Sequence, residues 1–141
     1  MLQSSYTQKY PFNETSEMKT DWENIITKIR ESITKDQSPQ SLLSTRNHFY
    51  ELLSRCVPPE IILRSLVVQI LVSVDIELKF QVVFFASFYD HRLKTGSKPI
   101  FHLEAFVAKI MCLIKEFQIN KQTSKQILNI KKNWIKKFFF L

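Results

Sequence analysis

A chain of 141 residues is most simply one domain, and its 45% apolar content, with twelve Phe, is enough to bury a core without staples. The single glycine, Gly96, excludes the glycine-rich loops that cradle nucleotide phosphates. The formal charge of +7 is local: Met1 to Phe117 carries 14 basic against 13 acidic residues, while Gln118 to Leu141 carries six lysines and no acid, so the body lacks the charge of a broad nucleic-acid footprint.

Residues 1–19 are polar, hold Pro11 and show no sustained period; they read as a linker stub. Thr20 with Glu23 three positions later predicts a capped helix start, and Trp22, Ile25, Ile26, Ile29 and Ile33 carry that helix to about Lys35. Ser38 followed by Pro39 predicts the next start, with Leu42, Leu43, Phe49, Leu52 and Leu53 leading to about Arg55. Pro58 and Pro59 end that helix and open a third, from Ile61 to about Val72, which is apolar on nearly every face. Such a helix is buried on several sides or shared with a partner chain. A fourth runs from Asp75 to about Lys94, with Leu78, Val82, Phe85, Ala86 and Tyr89 on one stripe. Thr95 to Pro99 is the clearest break. A fifth reaches about Phe117 through Leu103, Phe106, Val107, Ile110, Met111 and Ile114. Period-two alternation with turn glycines is missing, so the reading is an all-α, five-helix bundle with short connections.

Chemistry has little to build on. His48, His91, His102, Cys56 and Cys112 stand at no metal-ligand spacing, and no metal or cofactor is expected. Asp90 and His91 have no nucleophile set up beside them, and Asp75 and Glu77, two apart, do not share a helix face. No catalytic residue is assigned. Both cysteines read as buried free thiols of a reducing compartment. Ile61 to Val74, the most apolar stretch, is interrupted by Arg64 and Gln69 and is too short to span a bilayer. With polar residues after Met1, the expectation is an intracellular, soluble chain.

The basic tail, 118–141, holds two patterns. Ile127, Ile130, Trp134, Phe138 and Leu141 lie at helical spacing, with Lys125, Lys132 and Lys136 mainly on the other side; a basic amphipathic helix suits anionic lipid, a partner groove or nucleic acid. Ile135, Phe138 and Phe139 also resemble a sliding-clamp-binding peptide, with Lys132 where its leading glutamine stands. An unselected segment rich in Lys, Phe, Ile and Asn, as read-through or alternative splicing would produce, has the same composition.

The stretch from Tyr50 to Leu66, with Pro58-Pro59-Glu60-Ile61-Ile62, and that from Tyr89 to Lys109, with His102-Leu103-Glu104-Ala105-Phe106, resemble the C-terminal helical collar of the replication factor C small subunits, the eukaryotic DNA clamp loader. Gly96-Ser97-Lys98 falls at that family's interhelical turn, and the resemblance runs from near Gln8 to Phe117. It implies a collar-type oligomerisation domain over 20–117, following a remnant of the lid region at 1–19. In the family, an ATPase module precedes the collar and holds the ATP site. The implied role is assembly of the pentamer that loads the sliding clamp onto primed DNA in replication and repair. The implied partners are other replication factor C subunits, the clamp indirectly and DNA through the complex, with no small-molecule substrate, in the nucleus. Alone, the chain is expected to be non-enzymatic. Ser54-Arg55-Cys56 matches the arginine-finger motif of clamp-loader small subunits, but its place before Pro58 makes it a helix end instead. Leu66, Ile70, Phe85, Tyr89, Arg92, Phe101 and His102 are the expected subunit interface. The alternatives are a protein whose basic tail binds membrane or nucleic acid, and a truncated product without function.

Overall fold

The computed structural model describes the backbone of residues 20–139 and the side chains of residues 20–129. These form five helices: α1 (Asp21–Lys35), α2 (Pro39–Ser54), α3 (Pro59–Ser73), α4 (Ile76–Thr95) and α5 (Pro99–Phe139). The described residues contain no strand, and none of their helices is long and apolar enough to cross a membrane. The linker stub at 1–19 lies outside them.

Local chemistry accounts for the helix ends. At α1 the Glu23 carboxylate accepts the backbone N–H of Thr20 at 2.8 Å, which satisfies a donor that the first turn leaves open. At α2 the Ser38 hydroxyl accepts from the N–H of Ser41 at 3.2 Å, and Pro39 occupies the first helical position, where no N–H is needed. The end of α2 is a Schellman motif. Val57 N–H donates to Leu52 O at 3.2 Å, Cys56 N–H to Leu53 O at 3.0 Å, and Cys56 adopts φ 58°. Arg55 meanwhile pairs with Glu51 at 2.7 Å on the surface. Ser54-Arg55-Cys56 is thus a helix stop, and its arginine is tied to its own helix.

The helices close a circuit. α1 packs on α2 and α3, α3 on α4, α4 on α5, and α5 back on α2, with α1 also meeting α5 across the middle. The core holds the α1 isoleucines, Phe49 and Leu52 of α2, Ile62, Leu63, Leu66 and Ile70 of α3, Leu78, Val82 and Leu93 of α4, and the α5 residues from Ile100 to Ile114. Phe49 and Phe106 are fully buried, each contributing about 2–3 kcal/mol of transfer free energy. On α2 the fully inward line begins with Ser41 and Thr45, with Leu42 packed partly buried against the core. The Thr45 hydroxyl donates to Ser41 O at 2.9 Å, and the Ser41 and Ser32 hydroxyls lie 2.7 Å apart, so these small polar residues are buried with partners. Leu43 is left exposed.

Two expectations are corrected. α5 does not stop near Phe117 but continues unbroken to Phe139, 41 residues in all and about 60 Å long. No glycine or proline follows Pro99, so nothing in the local sequence can end it. The cysteines are not buried: Cys56 sits at the exposed end of α2, and Cys112 lies on the outer side of α5. Their apolar neighbours in sequence point inward on other faces of the same turns.

Gly96 has a positional reason. Its backbone is extended, at φ −90° and ψ 157°, which any residue can adopt. A Cβ there, however, would collide with the His102 imidazole and stand 2.8 Å from the carbonyl oxygen of Arg92. The glycine therefore permits the close approach of α4 and α5.

Candidate subunit interface

Within the circuit, α4 has two principal neighbours, α3 and α5, so one side of it faces away from the bundle. Its inward line is Leu78, Val82 and Leu93, with Phe85, Ala86 and Tyr89 half-buried against the core. Its outward line is also apolar. Phe80, Phe84 and Phe88, one turn apart, are 77%, 67% and 46% exposed, and Ile76 and Val83 lie exposed beside them. Single exposed apolar residues are ordinary, but a three-turn aromatic stripe is not. Covering these three rings would remove on the order of 350 Å² from water, roughly 9 kcal/mol before the cost of association is subtracted.

The stripe is anchored to the core by aromatic contacts. Phe88 meets Tyr89 edge-on at 5.3 Å, Tyr89 meets the fully buried Phe106 at 5.9 Å, and Phe84 meets Phe85 at 5.4 Å. Arg92 lies 4.8 Å over the Phe88 ring, and Lys109 is 5.0 Å from that of Phe85. These contacts support the Phe84 and Phe88 rings, which lowers the entropy those two side chains would lose on docking. On α3, Ile61, Val68 and Val72 are exposed as well.

The expected interface residues divide. Leu66 and Ile70 are buried in the bundle's own core and present no surface, which corrects their assignment. α3 turns the line Ile62, Leu63, Leu66 and Ile70 inward and leaves Ile61, Val68 and Val72 outside. A helix apolar all round does not reveal which side its own domain takes. Phe85 and Tyr89 are half-buried supports of the stripe, and Arg92 is exposed upon it. Phe101 is exposed near Lys98, and His102 is half-buried against the Gly96 turn. The structure thus brings Arg92, Gly96 and His102 together at the α4–α5 junction. The side chains of Ile135, Phe138 and Phe139, the clamp-binding-like pattern, lie outside the described residues. Ile76, Phe80, Val83, Phe84 and Phe88 were not expected. Their signal was present as apolar residues at i, i+4 and i+8, opposite the stripe that was chosen.

Among the described residues no arrangement for chemistry emerges. No group of three His, Cys, Asp or Glu among the described residues could hold a metal ion. Asp90 pairs with Lys94 at 2.8 Å and Asp75 with Lys121 at 2.9 Å, both on the surface. Arg46 and Glu104, 3.2 Å apart, link α2 to α5. A cleft of about 420 Å³ between the start of α4 and the middle of α5 is lined by Asp75, Ile76, Glu77, Phe117, Asn120, Lys121 and Ser124. It offers an ion pair and apolar walls, but no base set beside a nucleophile.

Comparison with known proteins agrees with this picture of a helical domain. The family model for the replication factor C subunit 3 C-terminal domain matches residues 22–118. Replication factor C subunit 3 of Mus musculus is 47% identical over 118 residues, which are 83% of this chain and 33% of that protein. A probable replication factor C subunit 3 of Dictyostelium discoideum is 44% identical over 117 residues, 83% of this chain and 34% of the relative. Replication factor C subunit 5 of rice is 45% identical over 114 residues, 80% and 32% respectively. The match thus spans about a third of the length of these relatives. With the family match covering residues 22–118, more than half of the chain and part or all of each of its five helices, the chain belongs to the family of the replication factor C subunit 3 C-terminal domain.

Proposed function

We propose that this chain is the subunit-assembly part of a DNA clamp loader, with residues 20–117 acting as the collar-type domain that joins other replication factor C subunits. In this reading it serves replication and repair in the nucleus by holding together the pentamer that loads the sliding clamp onto primed DNA. It reaches the clamp and DNA only through the complex and does no chemistry alone. The observation that carries the proposal is the outward aromatic stripe of α4. Among the described residues, no side chain covers this stripe. Its size suits the hydrophobic centre of a protein interface, with Arg92 at its edge.

The test is co-purification of the chain with the other small subunits, for the parent and for Phe80→Glu with Phe84→Glu. Both rings are exposed, so the bundle should fold in the double variant, with unchanged helicity as the control. Loss of every subunit from the variant, with retention by the parent, is the expected result. Equal retention by both would place the interface elsewhere, and failure of the parent to bind any subunit would remove the assembly role itself.

A further inference from the structure

The outward face of α4 is symmetric about Phe84. At about 100° per residue, Glu77, Phe80, Gln81, Phe84, Ser87, Phe88 and His91 fall within an arc of about 120° centred on Phe84, and all seven are exposed. Phe80 and Phe88 stand one turn to either side of the centre, and Glu77 and His91 two turns. Charge is divided between the two ends. Glu77 is the acid at the start of this face, while His91 and the exposed Arg92, stacked over the Phe88 ring, close its other end. Asp90 and Lys94 lie outside the arc and pair with each other, and Asp75 pairs with Lys121. Among the described residues, neither Glu77 nor Arg92 has an ion-pair partner.

We infer that a second copy of this chain covers the stripe when no other subunit does, as an antiparallel pair of α4 helices about a two-fold axis at Phe84. This goes beyond the assembly reading, because self-pairing and subunit docking then compete for one surface. In this register each Phe80 enters the hole between Phe84, Ser87, Phe88 and His91 of the other copy, where the small Ser87 leaves room for the ring. Each Phe88 enters the hole between Glu77, Phe80, Gln81 and Phe84. Glu77 falls beside His91 and Arg92 of the other copy, twice by symmetry. A parallel pair would instead set Glu77 against Glu77 and Arg92 against Arg92, which charge and helix dipoles both oppose. Being isologous, the contact closes at two copies. The three rings bring about 700 Å² to the pair, and the polar flanks raise this to about 1,000 Å², the low end for a specific interface. The dimer is therefore weak, in the micromolar range, and gives way to a larger subunit contact.

The test is sedimentation equilibrium of the full chain from about 1 to 200 μM, a range that brackets a micromolar dissociation constant. A reversible monomer–dimer equilibrium is expected. Phe84→Glu, which sets two charges together at the axis, should leave monomer only. Glu77→Arg and Arg92→Glu should each weaken the dimer about five- to ten-fold, since each brings like charges together twice. Combining these two reversals should return the dimer to within about two-fold of the parent. All of these variants alter exposed side chains, so unchanged melting is the control for folding. A chain that stays monomeric, assembles beyond two, keeps its dimer in Phe84→Glu or fails to recover in the double reversal would overturn the inference. The measurement uses this chain alone. A dimer that takes no other subunit thus counts against assembly only, and a monomer that does take one counts against self-pairing only.

Discussion

Alanine at Gly96 tests whether α4 and α5 really meet as closely as the structure shows. At an extended position of this kind, replacing glycine by alanine normally stabilises by about 0.4–1 kcal/mol, because it removes freedom from the unfolded chain. Here the new methyl group meets two obstacles. The His102 imidazole can rotate away, at the expense of its packing, but the Arg92 carbonyl at 2.8 Å belongs to the last turn of α4 and already accepts the Gly96 N–H at 2.8 Å. Overpacking against backbone costs about 1–3 kcal/mol, so the net effect is a destabilisation of about 1–2 kcal/mol. For a domain of this size that lowers the melting temperature by about 4–8 °C, readable by circular dichroism at the helical minimum. His102→Ala in the Gly96→Ala background should recover part of the loss and leave the share set by the carbonyl, giving a measurable coupling between the two sites. A Gly96→Ala variant that melts at or above the parent would refute the reasoning, since it would show room for a side chain where the turn has none.

Cys56→Gly should raise stability by about 0.5–1 kcal/mol. Its φ of 58° costs a side-chain-bearing residue about 1–2 kcal/mol, partly offset by the greater freedom of glycine in the unfolded chain. A higher urea midpoint with an unchanged slope is the expected readout, and a lower midpoint would count against the Schellman geometry. Phe106→Ala, which removes a fully buried ring that also supports Tyr89, should lower stability by about 3–5 kcal/mol in the same titration. A loss below 1 kcal/mol would mean that the core does not depend on that contact. Lys121→Ala should change stability by less than about 0.5 kcal/mol, because its pairing with Asp75 is more than half exposed on both sides. A larger loss would show that the α5 extension is bound to the bundle more firmly than one surface ion pair allows.

Much of the fold was legible in the chain itself, because its signals are local. A capping serine before Pro39, the Pro58-Pro59 pair and the break at Gly96 act within a turn or two of backbone, and the observed helix ends follow them closely. The aliphatic lines of α1 and α5 were legible for the same reason: each presents one clear apolar face. Legibility failed where a helix has two. In α3 and α4 apolar residues occupy opposite sides, and periodicity alone does not say which side the domain keeps. Leu66 and Ile70 were therefore expected at a surface they do not reach, while Phe80, Phe84 and Phe88 went unnoticed. The buried Ser41 and Thr45 hid for the converse reason, since their burial depends on hydroxyl partners supplied by the fold.

Composition and local pattern, then, determined the helical class, the five segments, the near-neutral body with its basic end, and the family resemblance. All of these reside in the identity and spacing of neighbouring residues. Tertiary packing alone decided that α4 has only two principal neighbours and turns an aromatic stripe outward, and that Gly96 is required by an approaching imidazole and carbonyl, not by its own torsion angles. Those outcomes depend on which helix lies beside which, and that is set by the summed burial of the whole circuit and not by any one segment.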